Sequence, residues 1–129
     1  MTPREIIEKY YELASAGDWD AWCDLFSDDY VMDEQLAGRV TGLDNLRNIM
    51  RGFPQAYFRF SNTPKTILVD GDKGAVVSHI SALAMKYQNE PIEAEAMNYF
   101  QFKDDKIVYM ANFHDSKPFA PFLRQLSEG

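Results

Sequence analysis

The sequence predicts an α+β domain: three N-terminal helices packed on a curved antiparallel sheet that encloses a pocket. Apolar residues recur at helical spacing early in the chain. From Tyr57 onward they sit in β-rich runs divided by turn residues. Hydrophobic residues make up 46% and aromatic residues 14%, against 26% charged, enough for a core. Nine Phe, seven Tyr and two Trp exceed what a plain core of this size needs, which assigns some of them to a pocket or a subunit interface.

The elements follow in order. Thr2-Pro3-Arg4-Glu5 reads as a capping box with Pro at the first helical position. Ile6, Tyr10 and Leu13, flanked by Ile7, Tyr11 and Ala14, form the apolar stripe of helix 1, and Gly17 stops it. Asp18 caps a short second helix that turns Trp22, Leu25 and Phe26 inward. A strand is expected near Tyr30–Asp33. A third helix opens at Thr41-Gly42-Leu43-Asp44, carries Leu43, Leu46, Ile49, Met50 and Phe53 on one face, and ends at Gly52 and Pro54. Strands are then expected near 57–61, 65–70, 75–88, 92–103 and 106–115. The turns between them are Asp70-Gly71-Asp72-Lys73-Gly74, Asn89-Glu90-Pro91 and Lys103-Asp104-Asp105-Lys106. Helices followed by hairpins imply a sheet with helices on one face. With no linker, repeat or low-complexity tract, residues 1–129 read as one domain.

Charge narrows the functions. The net charge is −7; residues 1–34 hold ten Asp/Glu against Arg4 and Lys9, and the remainder holds eleven Lys/Arg against ten acids. A phosphate backbone is repelled by the first part and ignored by the rest, so no nucleic-acid partner is expected. No apolar run approaches the ~20 residues of a membrane span, and the N-terminus is not basic then apolar, so a cytoplasmic protein without a membrane partner is expected. Cys23 is alone and the two histidines lie 35 residues apart, so neither a disulfide, a metal nor any other cofactor is expected. Phosphate-loop, dinucleotide and nucleophile-elbow motifs are absent.

The run from Tyr10 to Gly17-Asp18, then Leu25-Phe26-Ser27-Asp28-Asp29, a strand ending at Asp33 and Gly42 opening a helix resemble the NTF2-like superfamily. Asn98 to Val108 is similar to that family's last hairpin. The resemblance implies a cystatin-like, cone-shaped scaffold, which hosts ketosteroid isomerase-like and SnoaL-like enzymes, binding modules and interaction domains alike. It maps Tyr10 onto the isomerases' oxyanion-hole tyrosine, Asp33 onto their general base, and Asn98 onto a position where they carry a protonated aspartic acid. An amide donates there without a large pKa shift, though more weakly than an acid.

Strand alternation groups Asn98 with Phe100 and Phe102 on the inner face. The family register turns Met110, Asn112 and His114 inward, and likewise His79 with Val77, Ser81, Leu83, Met85 and Tyr87. Asp33, Tyr10, Asn98 and His114 are thus the candidate catalytic residues. His79, Asn112, Met110, Phe100, Met85 and Trp22 are the candidate ligand contacts. Each also has a plain structural reading, from a core tyrosine to a rim histidine.

The expected function is general acid–base chemistry, as an isomerase, dehydratase (a lyase) or cyclase, on a small hydrophobic carbonyl compound. The alternatives are a non-catalytic small-ligand binder and a dimerisation domain. A homodimer through the outer sheet face, at Tyr99, Gln101, Tyr109, Ala111 and Phe113, is compatible with all three. The segment 117–127 reads as a short helix closing the cone or a dimer contact.

Overall fold

The computed structural model describes residues 1–84 and 90–120. Helix α1 spans Pro3–Ala16 and starts as expected: Thr2 and Glu5 form a reciprocal capping box, and Gly17, at φ 74°, ends it with its N–H on the Leu13 and Ala14 carbonyls. Asp18 caps α2, Trp19–Cys23, by accepting from the Ala21 N–H. Strands β1 (Phe26–Glu34) and β2 (Gly38–Thr41) come next, before α3 (Leu43–Ala56). The helices therefore do not all precede the sheet, and one of the three is a short turn and a half. Helix α3 also runs on through Gly52 and Pro54, which were expected to end it.

Four long strands follow among the described residues: β3 Tyr57–Asp70, β4 Lys73–Ala84, β5 Ile92–Lys103 and β6 Lys106–His114, and then a helical turn over Lys117–Phe119. The two segments expected at 57–61 and 65–70 are one strand, bent by a register shift between Pro64 and Thr66. The β5–β6 hairpin turns on Asp104 and Asp105, both at positive φ, a two-residue geometry that aspartate tolerates.

The six strands lie in the order β2-β1-β6-β5-β4-β3. Neighbours are antiparallel except β1 and β6, which run parallel. The sheet is thus mixed, not antiparallel as expected. The cause is topological: β1 precedes the helix α3 crossover and meets the last strand side by side.

The helices cover one face. Ile6, Ile7, Tyr10, Tyr11 and Ala14 of α1 are buried against it. Phe26, Tyr30 and Met32 of β1, Phe100 and Phe102 of β5, and Ile107 and Met110 of β6 lie in the same cluster. Burying a side chain of this kind contributes about 2 kcal/mol, so this layer carries much of the fold. The rest of the inner sheet face, beyond that layer, is where the site lies.

Candidate functional site

Successive residues of a strand point to opposite faces. On β1, Phe26, Tyr30 and Met32 take the inner face, so Glu34 follows them in and Asp33 goes out. Across the sheet Glu34 pairs with Asn112 of β6, and Asn112 with Asn98 of β5. A row of three polar side chains therefore crosses three adjacent strands on the inner face. One step deeper, Met32, Met110 and Phe100 form an apolar row by the same pairings, all buried.

Above the polar row is a cavity of about 400 Å³. Glu34, Asn98, Asn112 and His114 line its sheet side, with Asn62 of β3. Tyr10, Trp19, Trp22, Met50 and Phe53 line its helical side. Phe119, its ring tilted against that of His114 at 5.0 Å between centroids, and Leu36 of the β1–β2 turn also line it.

The charged chemistry sits at one point. His114 Nε2 is 3.1 Å from Glu34 Oε1, with the side chains 6% and 21% exposed. Glu34 Oε2 accepts the Leu36 and Ala37 N–H groups at 2.7 and 2.6 Å. Burial pushes the Glu34 carboxyl up, but the hydrogen bonds from His114 and these two amides outweigh it and leave the pKa below the ordinary value. The bond to Glu34 raises the His114 pKa against the opposing effect of burial. Gln35 anchors the same corner: its Oε1 accepts the His114 backbone N–H at 2.9 Å and its amide nitrogen donates to Ser116 Oγ.

The amides are partly committed. Asn98 Nδ2 donates to Tyr11 Oη at 2.7 Å, and Asn112 Nδ2 lies 3.6 Å from Met32 Sδ. Trp22 Nε1, Asn62 Oδ1, Asn112 Oδ1 and His114 Nδ1 are buried with no hydrogen-bond partner among the described residues. All four belong to side chains that line the cavity. Buried polar atoms in native proteins are almost always paired, so such a set around one cavity marks a place for a bound molecule or water. Desolvation raises the Tyr10 hydroxyl well above its ordinary pKa, so it stays protonated, a donor. Among the described residues no three His, Cys, Asp or Glu side chains converge as a metal ion requires.

Of the residues singled out in the sequence, Tyr10, Trp22, Asn98, Asn112 and His114 come together in this lining. Phe100 and Met110 do not: they are fully buried in the row beneath it. Asp33 is on the outer face, bound by Arg39 at 2.8 and 2.9 Å and by the Tyr109 hydroxyl at 2.7 Å. Those partners hold its carboxyl at about 2, the opposite of a desolvated base. His79 is also outward. Its Nε2 and Nδ1 meet Glu93 at 2.5 Å and Glu95 at 3.1 Å. Around His79 the buried residues of β4 are the even ones, Val76, Ser78, Ile80 and Ala82, so the inward turn expected for His79 is overturned by one residue of register. Met85 and most of the 117–127 segment lie outside the described residues. Glu34 and Asn62 were not foreseen. The parity of Tyr30 and Met32 already pointed to Glu34, as that of Phe60 did to Asn62.

The SnoaL-like domain family model matches residues 7–110. The chain belongs to the SnoaL-like domain family. The match spans α1 through most of β6, so it contains Tyr10, Glu34 and Asn98 and stops just short of Asn112 and His114. Solved structures share the fold of this SnoaL-like domain. An NTF2-like protein from Burkholderia xenovorans is 24% identical, with 87% of this chain and 81% of that one covered at a TM-score of 0.69. An NTF2-like protein from Burkholderia pseudomallei is 15% identical, with 94% of each chain covered at 0.80. A protein with a ketosteroid isomerase-like fold from Catenulispora acidiphila, crystallised with trimethylamine, is 14% identical, covering 88% and 86% at 0.77. No curated protein matches the chain by sequence. No helix among the described residues is long and apolar enough to cross a membrane.

Proposed function

We propose that this SnoaL-like domain is an enzyme that moves a proton on a small hydrophobic carbonyl compound, as an isomerase, dehydratase or cyclase does, with Glu34 and His114 as its acid–base pair. The observation that carries the reading is the 3.1 Å contact of Glu34 Oε1 with His114 Nε2 at the edge of an apolar cavity. Held by Glu34, Nε2 keeps its proton, and proton exchange with a ligand falls to Nδ1, which has no partner at full hydrogen-bond geometry among the described residues and whose proton the Asp115 backbone favours. A proton taken from the carbon beside the carbonyl makes His114 an imidazolium, which the Glu34 carboxylate stabilises. The charge left on the carbonyl oxygen is met by the Tyr10 hydroxyl and the Asn98 amide. Returning the proton to another carbon isomerises the substrate; expelling a hydroxide, protonated to water by the imidazolium, dehydrates it. Tyr10 and Asn98 keep the donor roles read from the sequence, the base passes from Asp33 to the pair, and His114 moves from an auxiliary to the proton acceptor.

The test needs no knowledge of the physiological substrate. Cyclohexanone and related small ketones are incubated with the protein in D₂O, and exchange of the α-hydrogens is followed by proton NMR. Exchange above the buffer rate, lost about a hundredfold or more in His114→Gln, supports the reading. Exchange that is absent, or unaltered by His114→Gln, contradicts it.

The domain is further proposed to act as a homodimer through the outer sheet face. There Met97 and Phe113 are 50% and 56% exposed beside Tyr99 and Tyr109. Large apolar side chains side by side on a strand face are what a partner covers.

A further inference from the structure

The charges of the cavity are asymmetric in a way that the proton-transfer reading does not use. Among the described residues that line it, the ionisable groups of ordinary acidity are Glu34 and His114, and no lysine or arginine is present. Opposite them the helices present the rings of Tyr10, Trp19, Trp22 and Phe53, each within about 5 Å of another: Tyr10–Trp22 at 5.3 Å, Trp19–Trp22 at 5.3 Å, Trp19–Phe53 at 4.7 Å. Ring faces carry negative potential and attract a cation, more strongly where water is excluded. The whole chain adds a net charge of −7, which concentrates cations near its surface.

We propose that the ligand of this cavity carries an organic ammonium group, seated between the Glu34 carboxylate and the aromatic rings of α1 and α2. The inference rests on the cavity being the reaction site, and it narrows the substrate to amine-bearing carbonyl compounds. It also assigns a use to the pairing of Glu34 with a histidine. A protonated His114 neutralises Glu34 and competes with an incoming ammonium group for it. Binding of the cation favours the neutral imidazole, so one proton leaves the protein as the ligand enters. The neutral imidazole is the form that accepts a proton, so an amine-bearing substrate prepares its own base. The other titratable groups facing the pair are Tyr10 from α1, Tyr57 at the start of β3 and Asp115 after β6. The two tyrosines, raised by burial, do not titrate in the range where His114 does.

The experiment compares three probes of similar size: cyclohexylammonium, cyclohexanol and cyclohexanecarboxylate. The chain's two tryptophans, Trp19 and Trp22, both line the cavity, so intrinsic fluorescence reports occupancy directly. Cyclohexylammonium is expected to bind about tenfold or more tighter than cyclohexanol, and the carboxylate weakest. Glu34→Gln is expected to erase the difference between ammonium and alcohol. Titration calorimetry of the unaltered protein in buffers of different ionisation enthalpy gives a second reading that needs no variant: up to one proton released on ammonium binding below the His114 pKa. Equal affinities for ammonium and alcohol, or no proton release, overturn the proposal. Equal binding of alcohol and ammonium together with ketone exchange removes the amine and leaves the proton-transfer reading standing. Ammonium binding without ketone exchange does the reverse.

Discussion

Asp33 and Glu34 are neighbours in sequence, and their carboxylates lie on opposite faces of the sheet: Asp33 meets Arg39 and Tyr109 outside, Glu34 meets His114 inside. One step along a pleated strand separates a solvated ion pair from the most charged point of the cavity.

The Glu34–His114 contact makes stability depend on pH in a defined window. Glu34 is held below its ordinary value of 4.5, so its contribution is present above the unfolded carboxylate pKa and lost as pH falls through the lower folded one. His114 is held above 6.5, so its contribution is full below the unfolded histidine pKa and lost as pH rises through the higher folded one. The pair therefore stabilises most between the ordinary carboxylate and histidine values. Urea unfolding of the wild type and His114→Gln at pH about 5.5 and about 9 should differ by roughly 1–2 kcal/mol more at the lower pH. A difference independent of pH would show that the pair does not titrate as described.

Tyr11 and Asn98 form a buried bond that fixes one amide of the polar row. Tyr11→Phe removes the acceptor and leaves a buried N–H without it, at a cost of about 1–3 kcal/mol. Adding Asn98→Leu should cost less than the two single changes together, because the orphaned amide is gone. Additive losses in a double-mutant cycle would mean that the bond contributes nothing.

The outer face makes the converse prediction. His79 lies with Glu93, Glu95, Lys65 and Ser81 in an exposed cluster. His79→Ala should therefore leave α-hydrogen exchange within about twofold of wild type, as surface changes away from a site do. A larger loss would bring His79 back to the inner site.

Phe113→Lys places a charge where two copies are proposed to meet. Sedimentation velocity should show a dimer for the wild type and a monomer for the variant, with both folded. A wild-type monomer, or a variant that still pairs, would contradict the outer-face dimer.

Much of this architecture is legible in the sequence, because local chemistry states it. Thr2 and Glu5 announce the start of α1, Gly17 its end, and Asp104-Asp105 the last hairpin. The alternation of Asn98, Phe100 and Phe102 reads correctly because large apolar side chains sit on one face only. Strand β4 is different: Val76 and Ile80 fall on one face, Val77 and Leu83 on the other. Hydropathy there leaves the register open, and His79 is misplaced by one residue. At β1 the parity of Tyr30 and Met32 does mark Glu34 as inward, and Asp33 is chosen by the resemblance instead. The parallel pairing of β1 with β6 has no local signal, since it depends on a crossover through α3. The mapping of a base onto Asp33 follows spacing to Gly42, whereas the face on which a carboxylate lies follows the pleat.

The most direct measurement sets the two carboxylates against each other. α-Hydrogen exchange of cyclohexanone is compared in wild type, Asp33→Asn and Glu34→Gln, each first shown to be folded by circular dichroism. The account predicts that Glu34→Gln loses about tenfold or more of the protein-catalysed exchange while Asp33→Asn keeps it. Loss in Asp33→Asn with full activity in Glu34→Gln would contradict it.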